Sequence, residues 1–353
     1  MLRNDGVVGS NPIGGTTFAA TADFILTFFS RLFGRAFMLR RLFGLATSAA
    51  DRGAYYLRVM VPAQIAARNS SRDLKPVQDR TAAIQAGDMI VFCVLRDDAE
   101  RIPLFLQYYR DLGVGHFIFI DNGSGGRLQG IVAAMSDVSL WRTDASYAQS
   151  CSGAHWLNHL LRTHGVGHWC LTVNADELLV YPHVESRSLR ELTEYLSMKG
   201  LPHLPCLVID TYAESVESDL QSGIDPREVS RLFDRSGYSF KPAGRGCHVQ
   251  GGSRARMFFP EDLDRAPALN KVPLVLWSRR SLYLNSTHQL APRGLNSWMR
   301  NGSLRVTGAL LRSDDADLMQ DKSGKDWRVP DSTPYRSSQS LIDCGLMTAG
   351  SWF

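Results

Sequence analysis

From Asp88 onward, apolar and polar positions alternate in blocks. Met89–Leu95 (MIVFCVL) is a short apolar run of the kind that forms a strand buried on both faces. After the polar stretch Arg96–Asp98, the pattern predicts a helix over Ala99–Leu112. It places Ile102, Phe105, Leu106, Tyr109 and Leu112 on one face, with Pro103 tolerated near the first turn and Gly113 ending it. A second strand, His116–Ile120, runs into Asp121-Asn122-Gly123-Ser124-Gly125-Gly126, a row of strong turn formers. Val138–Trp141 reads as a third strand, Gln149–His164 as a helix, and His168–Val173 as a fourth strand ending on Asn174-Ala175-Asp176-Glu177. Ser188–Met198 is a further helix and Cys206–Asp210 a fifth strand.

Such alternation predicts an α/β sheet with parallel strands flanked by helices. Ligands bind these sheets outside the carboxyl ends of the strands, so the polar residues at the exits are the ones to weigh. They are Arg96, Asp97, Asp121, Asn122, Asn174, Asp176, Glu177 and Asp210.

The chain ahead of Asp88 has a different pattern. Phe18–Ser48 is rich in Phe and Leu and is interrupted by Arg31, Arg35, Arg40 and Arg41. Its longest strongly apolar stretch, Phe24–Ser30, is far short of the roughly 20 residues a spanning helix needs. Most of its positive charge follows the apolar core, opposite to a secretory signal. Two uses fit: a helix lying in an anionic membrane surface, or a helix packed on the body or on another subunit. Ser70–Ala86 is polar and reads as a linker. The expected division is therefore an arm and linker over 1–87, a catalytic domain over 88–312, and a polar loop and tail over 313–353.

Composition agrees with a globular body: of 353 residues, 44% are hydrophobic and 21% charged. The net charge of +4 hints at nucleic acid until the chain is divided. Residues 1–87 carry 11 Lys+Arg against 5 Asp+Glu, and the remainder 28 against 30. The body has no basic excess of the sort that nucleic-acid binding needs, so no nucleic-acid partner is expected. The six cysteines (93, 151, 170, 206, 247 and 344) show no C-x-x-C pair or zinc spacing, which implies reduced thiols in a cytoplasmic protein. With the arm included, the expected location is the cytoplasm, with peripheral contact on the inner membrane face as a further option.

Among the exits, Asn174-Ala175-Asp176-Glu177 carries the most chemistry. Residues i and i+2 of an extended segment point the same way, so Asn174 and Asp176 would present two oxygen-bearing side chains to one point. Hard divalent cations seek such oxygens and complete their shell with substrate phosphates. The same tetrapeptide also fits a plain strand-to-turn connection whose acids cap and face water. Arg96 with Asp97, and Asp121 with Asn122, offer partners for a base edge, ribose hydroxyls or a phosphate. A Walker loop and G-x-G-x-x-G are both missing from this unit, which argues against a kinase or a dinucleotide enzyme.

The stretches VLRDDAERIPLFLQYYRDLGVGHFIFIDNGS, HWCLTVNADELLVYPH, LNKVPLVLW (Leu269–Trp277) and YLNSTHQLAPRGLN (Tyr283–Asn296) together resemble the glycosyltransferase family 2-like group of bacterial proteins. The resemblance spans roughly Asp88–Asn296 and extends to the tail from Ser337 to Phe353. It implies a GT-A-like, Rossmann-type mixed sheet flanked by helices. It also implies sugar transfer from a nucleotide-sugar donor, often a UDP-sugar, to a glycan acceptor, with Mn²⁺ or Mg²⁺ on a D-x-D-like motif. Arg96 and Asp97 then take the place of the Arg-Asn after the first strand, and Asp121 and Asn122 match the nucleoside-side exit. Asn174 and Asp176 match the first and last positions of D-x-D, with Glu177 the acid that follows. His288 resembles a histidine near the metal or diphosphate, and Lys271 a residue that meets a phosphate.

Two departures stand out. Asn174 replaces the first Asp of D-x-D and removes a charge from a metal shell. Around Gly308–Arg312 an expected histidine is missing, so Arg312 would have to replace it electrostatically. For the base that deprotonates an acceptor hydroxyl, Asp210 is the first candidate and Glu214, Asp219 and Asp262 are rivals. Trp141, Tyr147, Trp156 and Tyr181 are candidates to stack on a sugar. The expected function is metal-assisted glycosyl transfer. The alternative is a non-catalytic GT-A-like protein that binds a nucleotide-sugar or a partner.

Overall fold

The computed structural model describes residues 53–213, 231–243, 246–284, 286–300, 303–313 and 328–352. Its strands are β1 (Lys75–Gln78), β2 (Met89–Leu95), β3 (His116–Asp121), β4 (Val138–Arg142), β5 (Trp169–Thr172), β6 (Glu177–Val180), β7 (His203–Ala213), β8 (Arg231–Asp234), β9 (Tyr238–Ala243), β10 (Gly246–Gly251) and β11 (Asn270–Leu276). Two short pairs follow, β12 (Leu282–Tyr283) with β13 (Leu290–Ala291) and β14 (Met299–Arg300) with β15 (Ser303–Leu304), then β16 (Gly308–Ser313) and β17 (Ser332–Pro334). The helices are α1 (Val61–Asn69), α2 (Ile102–Asp111), α3 (Arg127–Val132), α4 (Ala154–Leu160), α5 (Leu189–Met198), α6 (Gly252–Phe258) and α7 (Ser338–Asp343).

Eleven strands join one mixed sheet in the order β1-β4-β3-β2-β5-β11-β7-β16-β6, with β8 on β7 and β17 on β8. β4, β3, β2 and β5 are mutually parallel, as the alternation predicts. The expectation of parallel pairing stops there. β11 inserts antiparallel between β5 and β7, and β16 returns parallel to β7 but antiparallel to β6. β2 and β5 are neighbours although they are not consecutive, so the strand order reverses between them. That reversal opens a crevice at the carboxyl ends.

The period of two in the strands sorts their side chains between two cores. Val91, Cys93 and Leu95 of β2, with Phe117 and Phe119 of β3, join α2 and α5 on one face. Ile90 and Phe92, with Ile118 and Ile120, meet α4 on the other. α5 begins with a capping box: the Ser188 Oγ accepts from the Glu191 amide at 3.2 Å while Glu191 Oε2 accepts from the Ser188 amide at 2.7 Å. Such a cap is worth about 1 kcal/mol, and the buried Leu189, Leu192 and Leu196 fix the face it presents.

Three segments differ from their sequence reading. Lys75–Gln78, inside the expected linker, is the edge strand, and Gln78 Nε2 donates to the carbonyls of Val132, Met135 and Val138 at 2.9–3.2 Å. The helix expected to start at Gln149 starts at Ala154, because Cys151 (φ 53°), Ser152 (φ 55°) and Gly153 (φ 77°) are left-handed in succession. Residues 328–352 lie in the span expected as a polar tail, yet Leu341, Leu346, Met347 and Trp352 are buried in the core beside α5.

The Phe18–Ser48 segment lies outside the described residues, as do Glu214 and Asp219. Among the described residues, no helix is long and apolar enough to cross a membrane. Cys93, Cys170 and Cys206 are buried free thiols, and Cys151, Cys247 and Cys344 are free and half-buried.

Candidate functional site

The crevice between β2 and β5 holds a cavity of about 190 Å³, lined among others by Val94, Tyr147, Ser152, Thr172, Asn174 and His288. Two residues weighed from sequence, Asn174 and His288, thus share one opening although 114 positions separate them. His288 is held there by its Nδ1, 2.8 Å from the Asn270 carbonyl. Burial, and then the positive charge of Lys271, hold its imidazole below the usual histidine range, so it stands neutral in this opening. The left-handed Ser152 forms another part of the rim, and strain of this kind persists only where the surroundings over-determine it. A larger concavity, about 480 Å³, opens at the amino ends of the same strands beside Met89, Trp169 and α5. Its polar lining, Arg190, Thr193, Glu194 and Ser197, comes from α5 alone, whereas the smaller cavity gathers groups from separate parts of the chain and is the better candidate.

Beside the cavity, the turn Asn174–Glu177 is tightly built. The Glu177 amide donates to the Asn174 carbonyl at 3.1 Å. Glu177 Oε2 accepts from the Asn174 amide at 2.8 Å, and Oε1 lies 3.4 Å from Asn174 Nδ2. The same carboxylate receives Lys271 Nζ at 2.6 Å, with both side chains almost fully buried. Burial, the largest single influence, would raise Glu177, but Lys271, the Asn174 amide and Arg312 together hold the carboxyl below its ordinary value. Lys271, expected from the resemblance to meet a phosphate, is therefore committed to Glu177 inside the sheet. Glu177, read from sequence only as an acid after the motif, is the staple that shapes the motif.

Asn174 is exposed and Asp176 half-buried. Burial, and then the charge of Glu177, push the Asp176 carboxyl up to about 6, against the pull of Arg312. The sheet brings Arg312 here by register: on β16 it lies opposite Asp210 of β7 on one side and Glu177 of β6 on the other. Its Nε donates to Asp210 Oδ1 at 2.7 Å and its Nη2 is paired with the same oxygen. Arg254, from α6, approaches that oxygen at 3.7 Å. Asp210 is buried, and its Oδ2 has no hydrogen-bond partner among the described residues. Sequence reading weighed Asp210 and Arg312 separately. Their pairing, and the part of Arg254, follow from strand order and carry no local signal.

The nucleoside-side candidates divide. Asp121 is fully buried at the end of β3, where Oδ1 accepts from the Gly123 and Ser124 amides at 3.1 and 2.7 Å and Oδ2 faces Arg142 Nε at 3.7 Å. Asn122 donates through Nδ2 to the Thr143 and Ala145 carbonyls, both at 3.0 Å, and so ties this loop to the next strand exit. Arg96 and Asp97 are exposed and paired loosely at 3.7 Å, with Asp97 left-handed at φ 59° and Arg127 3.5 Å away. Of the remaining candidates, Asp262 caps the turn Leu263–Arg265 by accepting from the Asp264 amide at 3.1 Å. Trp141, Trp156 and Tyr181 are buried in the core, whereas Tyr147 is 45% exposed on the cavity rim.

For a divalent cation, the donor set expected from sequence was Asn174, Asp176 and His288. Among the described residues, no three His, Cys, Asp or Glu side chains converge as ligands would. The acid nearest to Asp176 in sequence is held by Lys271, and Oδ1 of Asp210 is held by Arg312. Among the described residues, the acids beside Asp176 are thus engaged by bases of the chain rather than turned together toward a cation. No protein-family model matches the chain, and no curated protein matches it either.

Proposed function

We propose that the chain is a glycosyltransferase that moves a sugar from a nucleotide-sugar donor, with UDP-sugars the first to test, onto a hydroxyl of a glycan acceptor. The observation that carries this reading is the meeting of the Asn174 amide and the His288 imidazole in one cavity at the crevice between β2 and β5, where α/β sheets bind ligands, with the acid Asp176 two residues beyond Asn174. The finer view of the sheet as GT-A-like belongs to the same reading. It is supported by the four parallel strands that lead into an antiparallel β11. Asp121 and Asn122 stand on the nucleoside side, Tyr147 offers a ring face to a sugar, and Asp210 Oδ2 is the acceptor of the proton.

In the inverting form of the reaction, the acceptor oxygen bonds to the anomeric carbon as the bond from that carbon to the diphosphate oxygen breaks. The bonding pair leaves with the nucleoside diphosphate, and the hydroxyl proton passes to Asp210. Incubating purified protein with UDP-, GDP- and CDP-sugars and following diphosphate release tests this. Asp210→Asn should lower the rate by a factor on the order of 10² or more. If no donor is hydrolysed or transferred and Asp210→Asn changes nothing, the enzymatic reading falls.

One observation favours a second reading, a nucleotide-sugar-binding protein without turnover: Arg312 already occupies Asp210 Oδ1. Donor binding in calorimetry without turnover would support it. Membrane contact through the N-terminal arm is part of the proposal as well, supported by the exposed Tyr56, Leu57 and Ile65 on the segment that leads into α1 and on α1 itself. Flotation of the full chain with anionic vesicles, against a chain lacking residues 1–52, reads it directly.

A further inference from the structure

We infer that the strand-exit cluster carries its own counter-charges, and that Arg312 rather than a divalent cation supplies the positive charge that meets a donor diphosphate. This rests on the nucleotide-sugar reading above and departs from the metal that the resemblance implies. Three acids stand together at this end of the sheet: Asp176 in the turn after β5, Glu177 at the start of β6, and Asp210 near the end of β7. Three bases face them: Lys271, Arg254 and Arg312. Lys271 lies 2.6 Å from Glu177, Arg312 2.7 Å from Asp210, and Arg254 3.7 Å from the same aspartate oxygen.

The formal charges therefore balance before any ligand arrives. A hard cation needs several oxygens that are free to turn toward it. Here both oxygens of Glu177 are bound by the Asn174 amides and Lys271, and Oδ1 of Asp210 by guanidinium. Asn174 contributes an uncharged amide. A cation would also enter beside two arginines whose repulsion the partly buried setting does not screen. A guanidinium, in contrast, is always charged and matches phosphate oxygens in pairs. Position supports the assignment: β16 holds Arg312 between Asp210 and the Asn174–Glu177 turn, and the Ser313 amide donates to the Asp176 carbonyl at 3.0 Å. The guanidinium is thus held beside the D-x-D-like turn.

The full-length protein is titrated with Mn²⁺ alone, with free Mn²⁺ followed by electron paramagnetic resonance. UDP, GDP and CDP are then titrated by calorimetry, once in EDTA and once in Mn²⁺. The wild type should bind Mn²⁺ no more tightly than millimolar, and its nucleoside diphosphate affinity should be the same in both buffers. Arg312→Gln should weaken nucleotide binding by roughly tenfold to a hundredfold, the worth of a charge-assisted hydrogen bond. It should also gain Mn²⁺ affinity, because it frees Asp210 beside Asp176. Arg312→Lys, which keeps the charge, should retain cation-independent binding at reduced strength, and it serves if Arg312→Gln does not fold. Micromolar Mn²⁺ binding by the wild type that is lost in Asp176→Asn would overturn the inference. So would nucleotide binding that requires Mn²⁺, and that result would leave the nucleotide-sugar reading standing. Failure of every nucleoside diphosphate to bind in both buffers would remove the two together.

Discussion

Asp121 closes β3 and Asp210 lies near the end of β7 in the same sheet, and both are buried with one oxygen engaged and the other without a hydrogen bond. Their partners differ. Among the described residues, Asp121 accepts hydrogen bonds only from two backbone amides of its own loop, two and three residues on, and its other oxygen faces Arg142 at 3.7 Å. Asp210 is met by arginines from two other elements, one of them 102 positions away. A carboxylate held by local amides shapes a loop, and its bonds form as soon as the turn does. A carboxylate held by distant guanidinium groups builds an electrostatic site that exists only once β7, β16 and α6 are assembled. One molecule thus uses the same residue type to set backbone geometry at one exit and charge at another.

That contrast predicts how substitutions sort. The largest loss of stability should come from the long-range network: Lys271→Met leaves Glu177 charged and buried without its partner, at a cost of about 3–5 kcal/mol. Urea denaturation measures it, and the double variant Lys271→Met with Glu177→Leu should recover much of the loss. If the single variant loses under about 1 kcal/mol, the buried pair is not an energetic partner of the site.

His203 sharpens the comparison through pH, because it too is buried against a long-range arginine, with Arg305 Nη1 2.6 Å from its Nε2. Burial, and then the Arg305 charge, push the imidazole down to about 3. The unfolded chain, titrating near 6.5, then binds the extra proton, so stability is fully present above about pH 6.5 and is lost as pH falls toward 3. The loss should reach a few kcal/mol, to which the other buried histidines add. Replacing His203 with Gln should flatten the pH dependence of the urea midpoint in this window, and an unchanged slope would refute the assignment.

The smallest effect is expected at the local exit. Asp121→Ala removes an acceptor for two amides that can turn to water once the loop loosens, so it should cost about 1–2 kcal/mol. Nucleotide affinity measured on Asp121→Asn, which keeps an acceptor oxygen, separates the loop-shaping part of this residue from any contact with a nucleoside.

The same division runs through what could be read before folding. β2, β3 and α5 were legible because their patterns are local: unbroken apolar runs of seven and four residues in the two strands, and a helix-period stretch over Ser188–Met198. β1 was not, because an edge strand such as Lys-Pro-Val-Gln has one side open and needs no apolar run. The start of α4 was missed because residues 151–153 adopt positive φ in a stretch whose composition suits a helix. Of the site, the exits were visible as polar residues after apolar runs. The commitment of Lys271 to Glu177 was not, since a lysine between two strands has the same sequence whether it meets water or a buried acid.

By itself, then, the amino-acid sequence determined the alternation of strands and helices, the polar exits, and a body without basic excess, all properties of neighbours along the chain. The tertiary structure decided the antiparallel insertion of β11, the burial of Leu341, Leu346, Met347 and Trp352, the shared cavity of Asn174 and His288, and the pairing of Asp210 with Arg312. The physical reason is range. Periodicity and turn chemistry act over a few residues, whereas charge compensation depends on which strands lie side by side, and that order emerges only when the whole sheet buries both of its faces.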